Sequence, residues 1–239
     1  MAKRWDLAVL SEPVRFMWER IEASNGRAGD QMREIEKIIK DHVLKECARP
    51  TIEVFTGKKA TLPGYYRTTK DWDLIVMIDG VLAAAIEVKS QRVGRPKKGG
   101  TPQVAKNVNN RIEEALGSAT DVRRLSDERA ASAWLGYLFV LEKAPETESA
   151  ASQSIGAQLP VDGIFGSAPS IVRRYQILCQ RLVQSSLYDG ACILLAPLAT
   201  VVAPTVEEPP LWSDDPDVNI SFEGFMQSLT SHLKNFEVI

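Results

Sequence analysis

Asp73, Glu87 and Lys89 stand at the open end of two apolar runs, and their types suit one kind of chemistry. Leu74 to Ile78, a turn at Asp79-Gly80, and Val81 through Val88 read as a buried hairpin. An Asp precedes the first strand, and a Glu and a Lys spaced E-x-K close the second. Two carboxylates and an ammonium gathered there can hold a divalent cation and activate a water beside it. Asp73 and Glu87 are the hard oxygen ligands expected to bind Mg²⁺, while Lys89 orients the water and stabilises charge on the attacked phosphate. The implied reaction is in-line hydrolysis of a phosphodiester.

Register decides whether these residues meet. With a plain two-residue turn at Asp79-Gly80, Asp73 faces Ile86 and Glu87 points to the opposite side of the sheet. With a three-residue turn, or with a bulge, Asp73 faces Glu87; Glu87 and Lys89 then share its face, while Ile86 and Val88 enter the core. The three-residue turn or the bulge is expected, because the other register scatters the charges.

The elements around the hairpin follow from periodicity. Ser11-Glu12-Pro13 starts a helix with Val14, Met17, Trp18 and Ile21 on one face. A second helix, from about Asp30 to Cys47, buries Met32, Ile35, Ile38, Ile39, Val43 and Cys47, and turns Arg33, Glu34, Glu36 and Lys37 outward. Thr51 to Phe55 alternates as a short strand. Helices are expected over about 104–118 and 121–130, then a fully buried strand over Trp134–Leu141. An irregular stretch covers 145–168, a helix Ile171–Leu187, a strand Ala191–Ala196, and a last helix about Ser221–Phe236. The order implies an α/β fold, a mixed central sheet flanked by helices. Residues 1–203 form one domain with N-terminal helices; residues 204–239 add an acidic, proline-rich linker and a helix packed on the same domain.

At 239 residues, with 44% hydrophobic and 25% charged side chains, the chain can bury a core without staples. Cys47, Cys179 and Cys192 lie far apart, with no C-x-x-C, which fits a reducing, cytoplasmic setting. No apolar run is long enough to span a bilayer. His42 and His232 lack partners at ligand spacing, which disfavours a zinc or histidine-based site. The net charge of −2 does not mark a polyanion binder, but seven Lys and Arg and no acid lie between Lys89 and Arg111. Such a cationic arm beside the charged hairpin is an electrostatic footprint for nucleic acid.

At these residues the chain resembles the PD-(D/E)xK nucleases, and more narrowly the XhoI-type Type II restriction endonucleases. The resemblance runs over roughly residues 60–200. It rests on Leu62-Pro63-Gly64-Tyr65-Tyr66-Arg67, Lys70-Asp71-Trp72-Asp73-Leu74, Glu87-Val88-Lys89-Ser90-Gln91 and Asn109-Asn110-Arg111-Ile112-Glu113-Glu114. It continues through Trp134-Leu135-Gly136 and Arg174-Tyr175-Gln176. It implies a restriction-endonuclease-like core and a Mg²⁺-dependent homodimer that cuts both strands of double-stranded DNA within CTCGAG, leaving 5′ overhangs. By motif, Asp73 and Glu87 carry over as metal ligands and Lys89 as the catalytic lysine. Trp72 stands where the broad signature has proline, which leaves Asp71 as an alternative first acid. The arm from Arg92 to Lys106 is longer than the family pattern, so an extended recognition site is open. Base reading is assigned to Arg67, Gln91, Arg92, Asn107, Asn109, Asn110 and Arg111, and phosphate contact to Lys97, Lys98 and Lys106. Tyr65 and Tyr66 are read as core and sheet-edge residues. Two other readings stay open: a structure-specific repair or recombination nuclease of the same fold, and an inactive DNA-binding module.

Overall fold

The computed structural model describes residues 5–24, 29–94, 106–125, 130, 132–150, 168–212 and 217–237. Its centre is a five-stranded mixed sheet built from β1 (Ile52–Thr56), β4 (Leu74–Ile78), β5 (Val81–Gln91), β6 (Trp134–Glu142) and β7 (Gly190–Ala196), in the order β1-β4-β5-β6-β7. The first two pairings are antiparallel and the last two parallel. Parallel neighbours need crossovers, and helices supply them: α3 (Lys106–Arg123) joins β5 to β6, and α5 (Ile171–Gln184) lies between β6 and β7. A short ribbon, β2 (Thr61–Pro63) with β3 (Thr69–Asp71), leads into the hairpin.

Helices cover both faces of the sheet, so β6 and β7 are buried along their whole length. On one face α1 (Ser11–Ser24), α2 (Arg33–Glu46) and α6 (Phe222–Asn235) pack on Leu74, Val76, Ile78, Ile86, Val88, Leu138 and Val140. On the other, α3 and α5 pack on Ile75, Ala85, Leu135, Tyr137, Phe139 and Ile193. The expected mixed α/β architecture is the one observed. The predicted apolar faces of α1 and α2 are buried as read, with Ile38 partly so. A short α4 (Pro145–Glu148) opens the stretch expected to be irregular.

Two elements differ from expectation. The helices read at 104–118 and 121–130 are one, α3, because Ser118, Ala119 and Asp121 are buried and hold the chain in register across the polar Ser-Ala-Thr-Asp stretch. Part of the acidic linker is structured: Glu207 bridges Leu195 at the sheet edge by hydrogen bonds of 2.7 and 2.9 Å, and Glu208 accepts from the Phe222 N–H at 2.8 Å. Both contacts lead the chain into α6, capped by Ser221 accepting from the Gly224 N–H. Among the described residues no helix is long and apolar enough to cross a membrane.

Candidate active site

The hairpin solves its register with a bulge. Ile78 pairs with Val81 across a two-residue turn in which Asp79 and Gly80 are both left-handed, at φ 53° and 77°. The ladder then shifts between Val76 and Met77, so that Met77 faces Leu82 while Val76 faces Ala84. The unpaired Ala83 joins Ala84 against the α1–α2–α6 layer, and alternation resumes with Ile86 opposite Leu74. Continued by one residue, this register sets Asp73 beside Glu87. Of the two routes expected to bring the acids together, the bulge is the one used, on the tight turn.

The charges meet as a cluster. Glu87, only 2% exposed, lies on the Tyr137 side of the sheet. Its Oε1 accepts from Lys89 Nζ at 2.9 Å and Lys70 Nζ at 3.0 Å. Tyr188 Oη lies 3.4 Å from the other oxygen. Asp73 Oδ2 accepts from the Val88 N–H at 2.7 Å and stands 3.9 Å from Lys89 Nζ. Asp71, the alternative acid, is exposed and accepts from Thr61 Oγ1 instead, so Asp73 is the one the fold brings into the cluster.

Burial and charge set the protonation states. Burial raises the Asp73 carboxyl, and Lys89 offsets only part of that. For Glu87 burial pushes the same way, but Lys89 and Lys70 together outweigh it and hold the group below the ordinary carboxylate range. Lys89 is disfavoured by burial, yet Glu87 and then Asp73 raise it, so it stays an ammonium.

Two residues of this neighbourhood were missed from sequence. Lys70 sits on the short β3, with its ammonium also 4.7 Å above the Trp72 ring. The signal was its place three residues before Asp73, a spacing that carries no meaning until the ribbon folds back. Glu36, expected to face outward from α2, is 7% exposed instead, and burial first, then the charge of Asp73, raises its carboxyl to about 7. Its register on α2, one residue from Ile35, was the only hint.

The expected DNA-facing residues divide. Asn109 and Asn110 are exposed on the first turns of α3, and Arg111 pairs with Glu114. Arg92 is held by Glu22 at 3.1 Å. Arg67 is exposed but paired with the buried Asp121 of α3. Gln91 is buried and its amide oxygen accepts from the Tyr175 hydroxyl, so the side chain read as a base contact is a core hydrogen-bond partner: the end of β5 is covered by α5. Tyr65 and Tyr66, read as core and sheet-edge residues, are exposed at the tip of the β2–β3 ribbon. Lys97 and Lys98 lie outside the described residues, as do the side chains of Lys106 and Asn107.

Among the described residues no three acidic, histidine or cysteine side chains close into a ready metal cage. Two carboxylates, Asp73 half-buried and Glu87 buried, fit a cation that takes few protein ligands and keeps several waters, which is the habit of Mg²⁺.

The family model described as restriction endonuclease XhoI matches residues 18–205. The chain is 34% identical over 166 residues to the Type II restriction enzyme BstVI of Geobacillus stearothermophilus, a match covering 65% of this chain and 69% of that protein. It is 35% identical over 170 residues to the Type II restriction enzyme XhoI of Xanthomonas vasicola, covering 69% and 64%. It is 44% identical over 91 residues to the Type II restriction enzyme AbrI of Azospirillum brasilense, covering 36% and 37%. The first two matches thus span about two thirds of each relative's length. No solved structure gives a significant match. The matched span encloses Glu36, Lys70, Asp73, Glu87 and Lys89, and the chain belongs to the XhoI family of restriction endonucleases, which are site-specific deoxyribonucleases.

Proposed function

We propose that this protein is a Type II restriction endonuclease that makes Mg²⁺-dependent double-strand cuts in DNA within CTCGAG or an extended variant of it. The observation that carries the reading is the bulge at Ala83, which brings Asp73, Glu87 and Lys89 to one point at the mouth of a buried hairpin. CTCGAG itself is what the family resemblance implies.

Asp73 and Glu87 would hold Mg²⁺, which when bound supplies an acidified water and neutralises charge at the attacked phosphate. The chain's own groups have separate tasks. The Val88 N–H fixes the Asp73 carboxylate against the strand. Lys89 is held charged by Glu87 and Asp73, so it donates and does not accept a proton; its work is to orient the attacking water and stabilise phosphate oxygens as charge develops. Lys70 shares Glu87 with Lys89 and keeps that carboxylate ionised. Asn109 and Asn110, exposed at the start of α3, are suited to base edges or phosphates.

A palindrome read by identical sites calls for a two-fold dimer. Sedimentation is expected to give about twice the 26.4 kDa of one chain, and a monomer when bound to cognate duplex would remove the dimer from the mechanism. A cytoplasmic setting agrees with three buried, unpaired cysteines.

The test is digestion of a plasmid bearing one CTCGAG site with varied flanks, in Mg²⁺ and in EDTA. Mg²⁺-dependent cutting at that site is expected. Cutting at other fixed positions would retain the nuclease and overturn CTCGAG; no cutting of any unmethylated DNA would overturn the enzyme reading.

A further inference from the structure

The β2–β3 ribbon ends in a tip where Tyr65 and Tyr66 are 60% and 67% exposed, their rings meeting edge to face at 4.8 Å. Exposed tyrosines on a loop are ordinarily free to move, but this tip is tied down. Asp121 of α3, almost wholly buried, accepts from the Tyr66 N–H at 2.7 Å and pairs with the neighbouring Arg67 guanidinium. The root of the ribbon is anchored in the core by Leu62 and Trp72, with the Trp72 N–H donating to Ala60 O at 2.7 Å. Burying a carboxylate is costly, and here it fixes the backbone under two rings that face solvent. Nothing in the hydrolytic chemistry accounts for them.

Position and charge indicate what covers them. Three residues lie between Tyr66 and Lys70, so their Cα atoms are at most about 14 Å apart, roughly four base steps of duplex, and the Lys70 ammonium in turn touches Glu87. Lys58 and Lys59 are exposed on the turn before β2, at the root of the same ribbon, and Arg67 stands beside the rings in its pair with Asp121. Exposed rings on a rigid support, with exposed lysines at the root of the same ribbon and next to the proposed phosphodiester-cutting centre, match nucleic acid: π-faces for a base opened from the stack and positive charge for phosphates.

We infer that Tyr65 and Tyr66 form a preorganised aromatic contact that stacks on nucleotides of the bound DNA a few steps from the cleaved bond. The inference rests on the reading of the protein as a DNA-cutting enzyme. Because the rings are uncharged, their contribution is separable from phosphate contacts by its salt dependence.

The test uses the full chain with Lys89→Ala in metal-free buffer, where the proposed Mg²⁺-dependent cutting does not run, and a duplex containing CTCGAG with 2-aminopurine at single positions inside and flanking the site. Binding is measured by anisotropy across a salt series. In this background Tyr65→Ala with Tyr66→Ala is expected to weaken binding roughly ten- to a hundredfold with the salt slope unchanged. Lys58→Ala with Lys59→Ala should lower the slope by up to about 0.9 for each phosphate that is no longer neutralised. Tyr→Phe at both positions should bind within about twofold of the parent. With the tyrosines intact, at least one 2-aminopurine position should change in fluorescence on binding, and that change should vanish in the alanine variant. Equal binding by the alanine variant, or no fluorescence change anywhere with the intact rings, overturns the inference even where the alanine variant folds poorly. A shift to a smaller species on sedimentation of the alanine variant in the absence of DNA assigns the rings to a contact between copies and overturns it as well. If the parent binds no duplex of any sequence, the DNA-cutting reading falls and this inference falls with it; parent binding with unaltered variants defeats the inference alone.

Discussion

Glu87 keeps its charge in a nearly dry place because two ammoniums share one of its oxygens. At an effective dielectric of about 20, each contact near 3 Å is worth roughly 5–6 kcal/mol before desolvation. Burying the carboxylate costs several kcal/mol, as does burying each ammonium. One partner therefore about balances, and the second decides. Lys70→Met is expected to destabilise the metal-free protein by about 1–3 kcal/mol in urea titrations, since it leaves Glu87 under-compensated. Lys89→Ala should in addition slow cleavage by roughly 10²–10³-fold, because in the proposed mechanism its ammonium would also stabilise the attacked phosphate. A Lys89→Ala enzyme that cuts at the normal rate would remove that residue from the chemistry. Glu36 offers a pH test. Its folded carboxyl titrates at about 7 and its unfolded one near 4.5, so the folded state binds the proton more tightly. That stabilisation is complete below the unfolded value and fades as pH rises through 7. Glu36→Gln, having no proton to lose, should match the wild type below about pH 4 and exceed it by about 1–2 kcal/mol at pH 8. Parallel stability-versus-pH curves for the two proteins would contradict the burial of Glu36 beside Asp73.

At the scale of elements, close packing dictates where glycine must stand. Trp134 begins β6 and lays its ring over Gly136 and Gly190 on adjoining strands, with Phe225 of α6 closing the stack at 5.1 Å. A Cβ on Gly136 would come within 2.4 Å of the indole and 2.9 Å of the Phe225 ring. Gly136→Ala should therefore cost about 1–3 kcal/mol in urea unfolding; a neutral result would mean that Trp134 moves away easily. The helix that brings Phe225 is not an ornament on the fold. Phe222, Phe225, Met226, Leu229 and Leu233 of α6 are all buried in the sheet face. At about 2 kcal/mol each they supply on the order of 10 kcal/mol, comparable with the whole stability of a typical domain. Truncation before Phe222 is expected to abolish the cooperative unfolding transition. A truncated chain that still melts cooperatively would show that α1 and α2 cover the sheet by themselves.

For the molecule as a whole, the division between what could be read and what had to be folded is physical. Periodicity and composition depend on near neighbours in the chain, and they predicted the helices, the apolar strands, the mixed sheet and the hairpin mouth as the place where charge gathers. Asp73, Glu87 and Lys89 were legible because alternation along a strand converts spacing directly into facing. The resemblance over residues 60–200 extended that reading to a family, and the match over residues 18–205 bears it out. Tertiary structure decided the rest. Whether Asp73 meets Glu87 turned on one unpaired residue, Ala83, and either turn geometry was compatible with the local sequence. Lys70 reached Glu87 only because the short ribbon folds back, and Glu36 came under the charge of Asp73 from a helix remote in sequence, so no spacing announced either. Gln91 turned inward and Tyr65 and Tyr66 outward against expectation, since burial is set by what packs above a residue: α5 covers the end of β5, while Asp121 holds the ribbon tip away from the core. Residue type supplied the chemistry available to this chain; long-range packing chose which of those groups are together, charged and exposed.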